Sequence, residues 1–335
     1  MRRLHFSIRP YLFLEYNVLK NSGIGGQAVI EGIMMRCGDR YSVGVRNENH
    51  EIQVKIEPWK SVIPIKNIGK IPVLRGVASF VDSLVIGTSA LMWSAEIAGD
   101  EEETEEERRE REAKAAAGGK EDDKAMKAMM TGTVVISILF SVGLFIILPY
   151  FLASILRRFG ASEILVSLAE AVLRIAIFLI YMLLISQMKD IQRVFAYHGA
   201  EHKCINCIES GLPLTVDNVL ASSRQHKRCG TSFMLVVVVI SVFCFLIVGA
   251  LGIRSPLARF ASRIVLIPVI AGLSFEFLRL AAVSENKFVC TLARPGLALQ
   301  KLVTREPDAE MAEVAIAAVE AVFDWRKWQE ENDLA

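Results

Sequence analysis

Four stretches of this chain, residues 133–156, 164–186, 233–253 and 264–283, are each long and apolar enough to cross a bilayer. A hydrocarbon core about 30 Å thick needs about 20 mainly apolar residues per helical span. A backbone in lipid must also satisfy its own polar groups, so each stretch reads as a helix. The third, FMLVVVVISVFCFLIVGALG, has no charge at all, and Pro149 sits near the outer end of the first, where it disturbs few ladder bonds. A hydrophobic content of 53% with a mean hydropathy of +0.38 exceeds the globular norm. The expected fold class is mainly α: a polytopic membrane bundle of about four spans, with a small N-terminal α+β module and a C-terminal amphipathic helix.

Positive residues are retained on the cytoplasmic side. The loop 187–232 carries Lys189, Arg193, Lys203, Arg224, Lys227 and Arg228, against Arg157 and Arg158 or Arg254, Arg259 and Arg263 in the opposite loops. That bias places both termini and the central loop in the cytoplasm, for a multi-pass protein of the cell membrane. The partner this implies is the lipid membrane; a net charge of +1 offers no basic excess for nucleic acid. The N-terminus lacks an uninterrupted apolar core with a cleavage site, so it is expected to be retained. Six irregularly spaced cysteines read as thiols rather than a disulfide framework.

Between and around the spans the chain divides into four parts. Residues 1–99 form a cytoplasmic module in which YSVGVRN and EIQVKIE alternate as a hairpin, with AVIEGIMMR as a third strand. In the same module, residues 75–95 are long enough for a helix, but Asp82 and many small residues weaken it as a span. It is expected at the membrane surface or against the bundle, with a fifth span as the alternative. Residues 100–130 are a charge-dense, solvated acidic linker. The bundle occupies 131–285, and the tail 286–335 is cytoplasmic. Within it, 307–330 reads as one amphipathic helix offering Trp325 and Trp328 to the interface or a partner.

Six of the eleven His and Cys residues lie between His198 and Cys229, about a tenth of the chain. His198 and His202 are four residues apart, on one face of a helix, with Glu201 beside them. His-x-x-Glu-His is the spacing of inverted zinc peptidases, where the histidines bind zinc and the glutamate activates water. Cys204-Ile-Asn-Cys207 has zinc or redox spacing, and His226 and Cys229 form another close pair. Thiolate and imidazole donors favour zinc over hard cations. Candidate ligands are therefore His198, His202, His226, Cys229 and Cys207, with Glu201 as candidate base; Glu209 is a second nearby carboxylate. A closed four-ligand site would be structural, and three ligands beside an open position would be catalytic.

The motifs GIGGQAVIEGIMMR (23–36), PVLRG (72–76), FAYHGAEHKCINCIESGLPLTVDNV (195–219), SRQHKRCGTSF (223–233) and RPGLALQKLVTREPD (294–308) resemble the YqhQ family of bacterial membrane proteins, domain of unknown function 1385. The resemblance implies a multi-span membrane protein, described as a predicted metal-dependent enzyme without an established substrate. It extends to His198, Glu201, His202, His226 and Cys229, whereas Cys204 is more variable in the family.

Ionisable residues at membrane depth should face the bundle interior and pair. Glu170 with Arg174, and Glu276 with Arg279, can pair within or across helices, as packing ion pairs or as a polar path towards the loop. Glu31, Arg36 and Arg75 are further candidates to line the site. The glycines 23–26 precede a strand, which argues against a dinucleotide cradle. The leading reading is a membrane metalloprotein with hydrolysis as its reaction class. A non-enzymatic factor with a structural metal and a metal transporter or sensor are the alternatives; the sequence specifies no substrate or protein partner.

Overall fold

The computed structural model describes residues 20–64, 68–99, 132–250, 255–284 and 286–334. The acidic linker expected over 100–130 and the start of the N-terminal module lie outside them. Four strands, β1 (Gly25–Val29), β2 (Gly32–Cys37), β3 (Arg40–Arg46) and β4 (Ile52–Pro58), form an antiparallel meander in sequence order. The run AVIEGIMMR, expected as a single strand, is a hairpin. Val29 pairs with Gly32, and Glu31 turns the chain at φ +48°. Neither an Asn-Gly nor an Asp-Gly pair marks that turn, so its usual sequence signal is missing.

Both faces of the sheet are covered. Val29, Met34, Tyr41, Val43 and Val45 pack on Ile86, Ala90 and Ala98 of helix α1 (Leu74–Ala98). Ile33 and Met35 instead join Tyr197, Ala200 and Ile208 of α4 (Lys189–Glu209) and Met311, Ala315 and Val319 of α9 (Ala309–Glu320). Gly44 lets α9 approach: a Cβ there would stand 3.2 Å from that of Ala318. The helix expected over 307–330 is broken into α9 and α10 (Trp325–Glu331), each opened by its own cap, Asp308 to the Met311 amide and Asp324 to the Lys327 amide. Trp325 is buried in this core and Trp328 packs against it, so neither is free for a membrane interface.

Among the described residues five helices are long and apolar enough to cross a membrane: α1, α2 (Gly132–Phe159), α3 (Glu163–Ile185), α6 (Gly230–Ala250) and α7 (Pro256–Val283), the last over its window 261–282. A short α5 (Val216–Ala221) precedes α6, and α8 (Lys287–Val303) follows α7. The sheet before α1 and the helix α4 after α3 share one core. Helix α1 has the lowest hydropathy of the five and packs on the sheet and on α7. Its buried Asp82 is anchored by the Val62 amide and the Ser61 hydroxyl.

The intramembrane charges pair across helices. Glu170 of α3 takes Arg174 from its own helix at 2.7 Å and Arg263 from α7. Glu276 of α7 is held by Arg75 of α1, rather than by Arg279.

Candidate metal centre

Helix α4 carries the centre, and it is unusual in being buried almost continuously from Ala196 to Glu209. Its polar side chains are accommodated because the segment 210–229, with the end of α5 and the irregular chain after it, wraps them with backbone carbonyls. Lys203 donates to Leu220 O and Ser222 O at 2.7 and 2.8 Å. Asn206 Nδ2 donates to Ser223 O and Gln225 O at 2.6 and 2.9 Å. From α8, the fully buried Gln300 accepts from the His226 amide and donates to the His226 carbonyl.

The same device sets the two histidines. His202 Nδ1 lies 2.6 Å from Arg224 O, and His198 Nδ1 lies 3.0 Å from Val303 O. A carbonyl only accepts, so each Nδ1 carries a proton, which leaves Nε2 as the ligand atom of a neutral ring. His198 Nε2 points at Cys229 Sγ, 3.2 Å away. His202 Nε2 is buried without any hydrogen-bond partner, a costly arrangement unless something is bound there. One ligand atom each from His198, His202 and Cys229 falls within 4.8 Å of the others. Cys229 immediately precedes α6, and the Thr231 amide and hydroxyl reach its sulfur at 3.4 and 2.9 Å. Two imidazole lone pairs and a sulfur around one point match the donor chemistry of zinc.

Glu201 lies against this group, with Oε2 3.8 Å from His198 Nε2. Burial raises its pKa above the usual carboxylate range, while His198 and a backbone hydrogen bond from Gly26 pull the other way. Gly26 is there because the second residue of β1 runs over the carboxylate: a Cβ would meet Met34 O at 2.7 Å and Glu201 Cγ at 2.9 Å. Gly26→Ala is expected to cost about 1–3 kcal/mol. A thermal melt equal to wild type would show that the strand yields freely.

The other predicted residues take different places. His226 is near, its ring centroid 5.7 Å from that of His202, but its Nε2 faces Glu209 Oε2 at 3.6 Å. Burial lowers its pKa, against the pull of Glu209. Burial also works against the Glu209 carboxylate, yet His226, Arg228 and Ser22 hold it down at about 2. Cys207 turns away, its sulfur 3.5 Å from Pro213 O, with burial raising its pKa to about 11. Cys204 is in the apolar core, its pKa pushed well up by burial. Of the soluble-side candidates, Glu31 is held by Arg193 and the Tyr197 hydroxyl, Arg36 lies over Trp59, and Arg75 pairs with Glu276. Gly26, Asn206, Val303 and Gln300, which shape the centre, carry no soft ligand atom and so do not stand out by residue type. Only their places inside the long motifs 23–36, 195–219 and 294–308 hinted at a role.

Comparison with known proteins places these features in context. The family described as "Protein of unknown function (DUF1385)" matches residues 71–325. An uncharacterized protein YqhQ of Bacillus subtilis (strain 168) is 36% identical over 310 residues, covering 92% of this chain and 94% of its own. No solved structure matches.

Proposed function

We propose that this chain, which belongs to the DUF1385 family, is an integral membrane metalloprotein in which His198, His202 and Cys229 hold one zinc ion on the cytoplasmic face. The observation that carries the reading is His202 Nε2, buried and unpartnered, in a residue that offers a ligand atom within 4.8 Å of those of His198 and Cys229. Backbone carbonyls behind both rings fix tautomer and orientation, as outer partners of metal-bound histidines commonly do.

Bound zinc would supply a Lewis acid and a more acidic bound water, the chemistry of hydrolysis. The chain's own part is to orient the two rings, exclude bulk solvent and hold a proton. Glu201 suits the last role: its Oε2 is 3.8 Å from His198 Nε2, and burial raises its proton affinity. Three protein ligands rather than four favour a hydrolytic site. A structural metal is the second reading, favoured by the burial of His202 and Cys229, which are 1% and 4% exposed.

Purified wild type is expected to contain one equivalent of zinc, and His202→Ala close to none. Unchanged metal content in His202→Ala would overturn the assignment. Glu201→Gln is expected to keep its zinc on either reading and to lose hydrolytic turnover only if the site is catalytic.

A further inference from the structure

Helix α6 starts on a sulfur cap. Cys229 stands immediately before Gly230, the first helical residue, and the Thr231 amide donates to its Sγ at 3.4 Å. The first amides of a helix have no partner within it, and a side chain just before the helix commonly accepts from the second or third of them. Serine, threonine, asparagine or aspartate ordinarily supplies that acceptor, as an oxygen. Here it is the sulfur that lies 3.2 Å from His198 Nε2. The Thr231 hydroxyl reaches the same atom at 2.9 Å. One residue therefore brings both a main-chain and a side-chain group to the ligand sulfur.

The next hydroxyl along the helix is used elsewhere. Ser232 Oγ accepts from Gln300 Nε2 at 2.9 Å, the nitrogen that also donates to His226 O. Cys229 is buried, so the Thr231 groups stand where water would otherwise serve the sulfur. A metal-bound thiolate carries no proton and only accepts, which makes the Thr231 hydroxyl the donor in that state. Such a bond fixes the direction of the sulfur and draws off part of its charge. Outer partners act on metal ligands in these two ways.

We infer that Thr231 is a positioning residue for the metal: its hydroxyl and amide hold Cys229 Sγ beside the two histidines and set how much charge the sulfur gives to zinc. This rests on the zinc reading and adds to it a residue that is not itself a ligand. The amide persists in any variant, so the hydroxyl is the part that a substitution removes. Thr231→Val removes it and keeps the branched shape.

The test uses the purified full chain loaded with zinc or with cobalt(II), whose thiolate-to-metal charge-transfer band follows the electron density on the sulfur. Thr231→Val is expected to lower zinc affinity about 10–100-fold in chelator competition and to move the cobalt band to longer wavelength. Thr231→Ser restores a hydroxyl and should recover both. Thr231→Ala should repeat the shift, so the result does not depend on how one substitution packs. Asn206→Leu, which removes the bonds to Ser223 O and Gln225 O without touching the sulfur, is expected to leave the band in place. A band unmoved in Thr231→Val, whatever its affinity, or moved equally in Asn206→Leu, would overturn the role of Thr231 while the zinc reading stands. A wild type that takes up neither metal would overturn both.

Discussion

Glu170→Ala is expected to destabilise the bundle by about 3–5 kcal/mol, the cost of removing one partner from a buried ion pair. Glu170 is an acidic partner of two guanidinium groups, Arg174 from α3 and Arg263 from α7, with side chains 4% and 7% exposed. Arg174 also donates to Phe145 O, and both arginines lie over the Phe245 ring. Without the carboxylate, both guanidinium groups lose an ion-pair partner at membrane depth. Replacing all three residues by Met or Leu removes the charges together and is expected to be near neutral. Thermal unfolding in detergent compares the two designs; a Glu170→Ala melt matching wild type would show that the arginines have other means of compensation.

Asn206→Leu carries the second large effect, and it acts on the centre without touching a ligand. The substitution keeps the branching and heavy-atom count of the side chain but removes both part-buried Nδ2 bonds, to Ser223 O and Gln225 O. Losing such bonds costs about 1 kcal/mol each. Those residues flank Arg224, whose carbonyl receives the His202 Nδ1 proton. On the zinc reading, loosening that carbonyl should weaken metal binding about 10–100-fold, the usual effect of losing an outer partner. Chelator competition measures the affinity and a melt measures the fold. A lowered melting temperature with unaltered zinc affinity would mean that the loop does not set the ring.

The apolar helices were legible because transfer from water to hydrocarbon is a local property, summed over about 20 consecutive residues. The β3–β4 hairpin was legible for a similar reason, its alternation being read residue by residue. Residues 30–31 were not, because a turn without Asn or Gly depends on the pairing of Val29 with Gly32. Nor was the fate of the C-terminal segment: its helical period is the same whether its apolar side meets lipid or, as here, the sheet and α4. Among the six clustered His and Cys residues, spacing marked His198 and His202 as sharing a face. Spacing alone did not separate Cys229, which joins them, from Cys207, which turns towards Pro213.

What the sequence determined by itself is a mainly helical chain with several apolar helices and a short region dense in soft donor atoms. What tertiary structure decided is which donors meet, that Gly26 lies over Glu201, that carbonyls of Arg224 and Val303 hold the rings, and that α1 packs on the sheet. The division has a physical origin. Hydrophobic period and helix length are encoded by neighbours in the chain, whereas a centre built from residues 26, 198, 202, 229 and 303 exists only when four distant segments pack into one core.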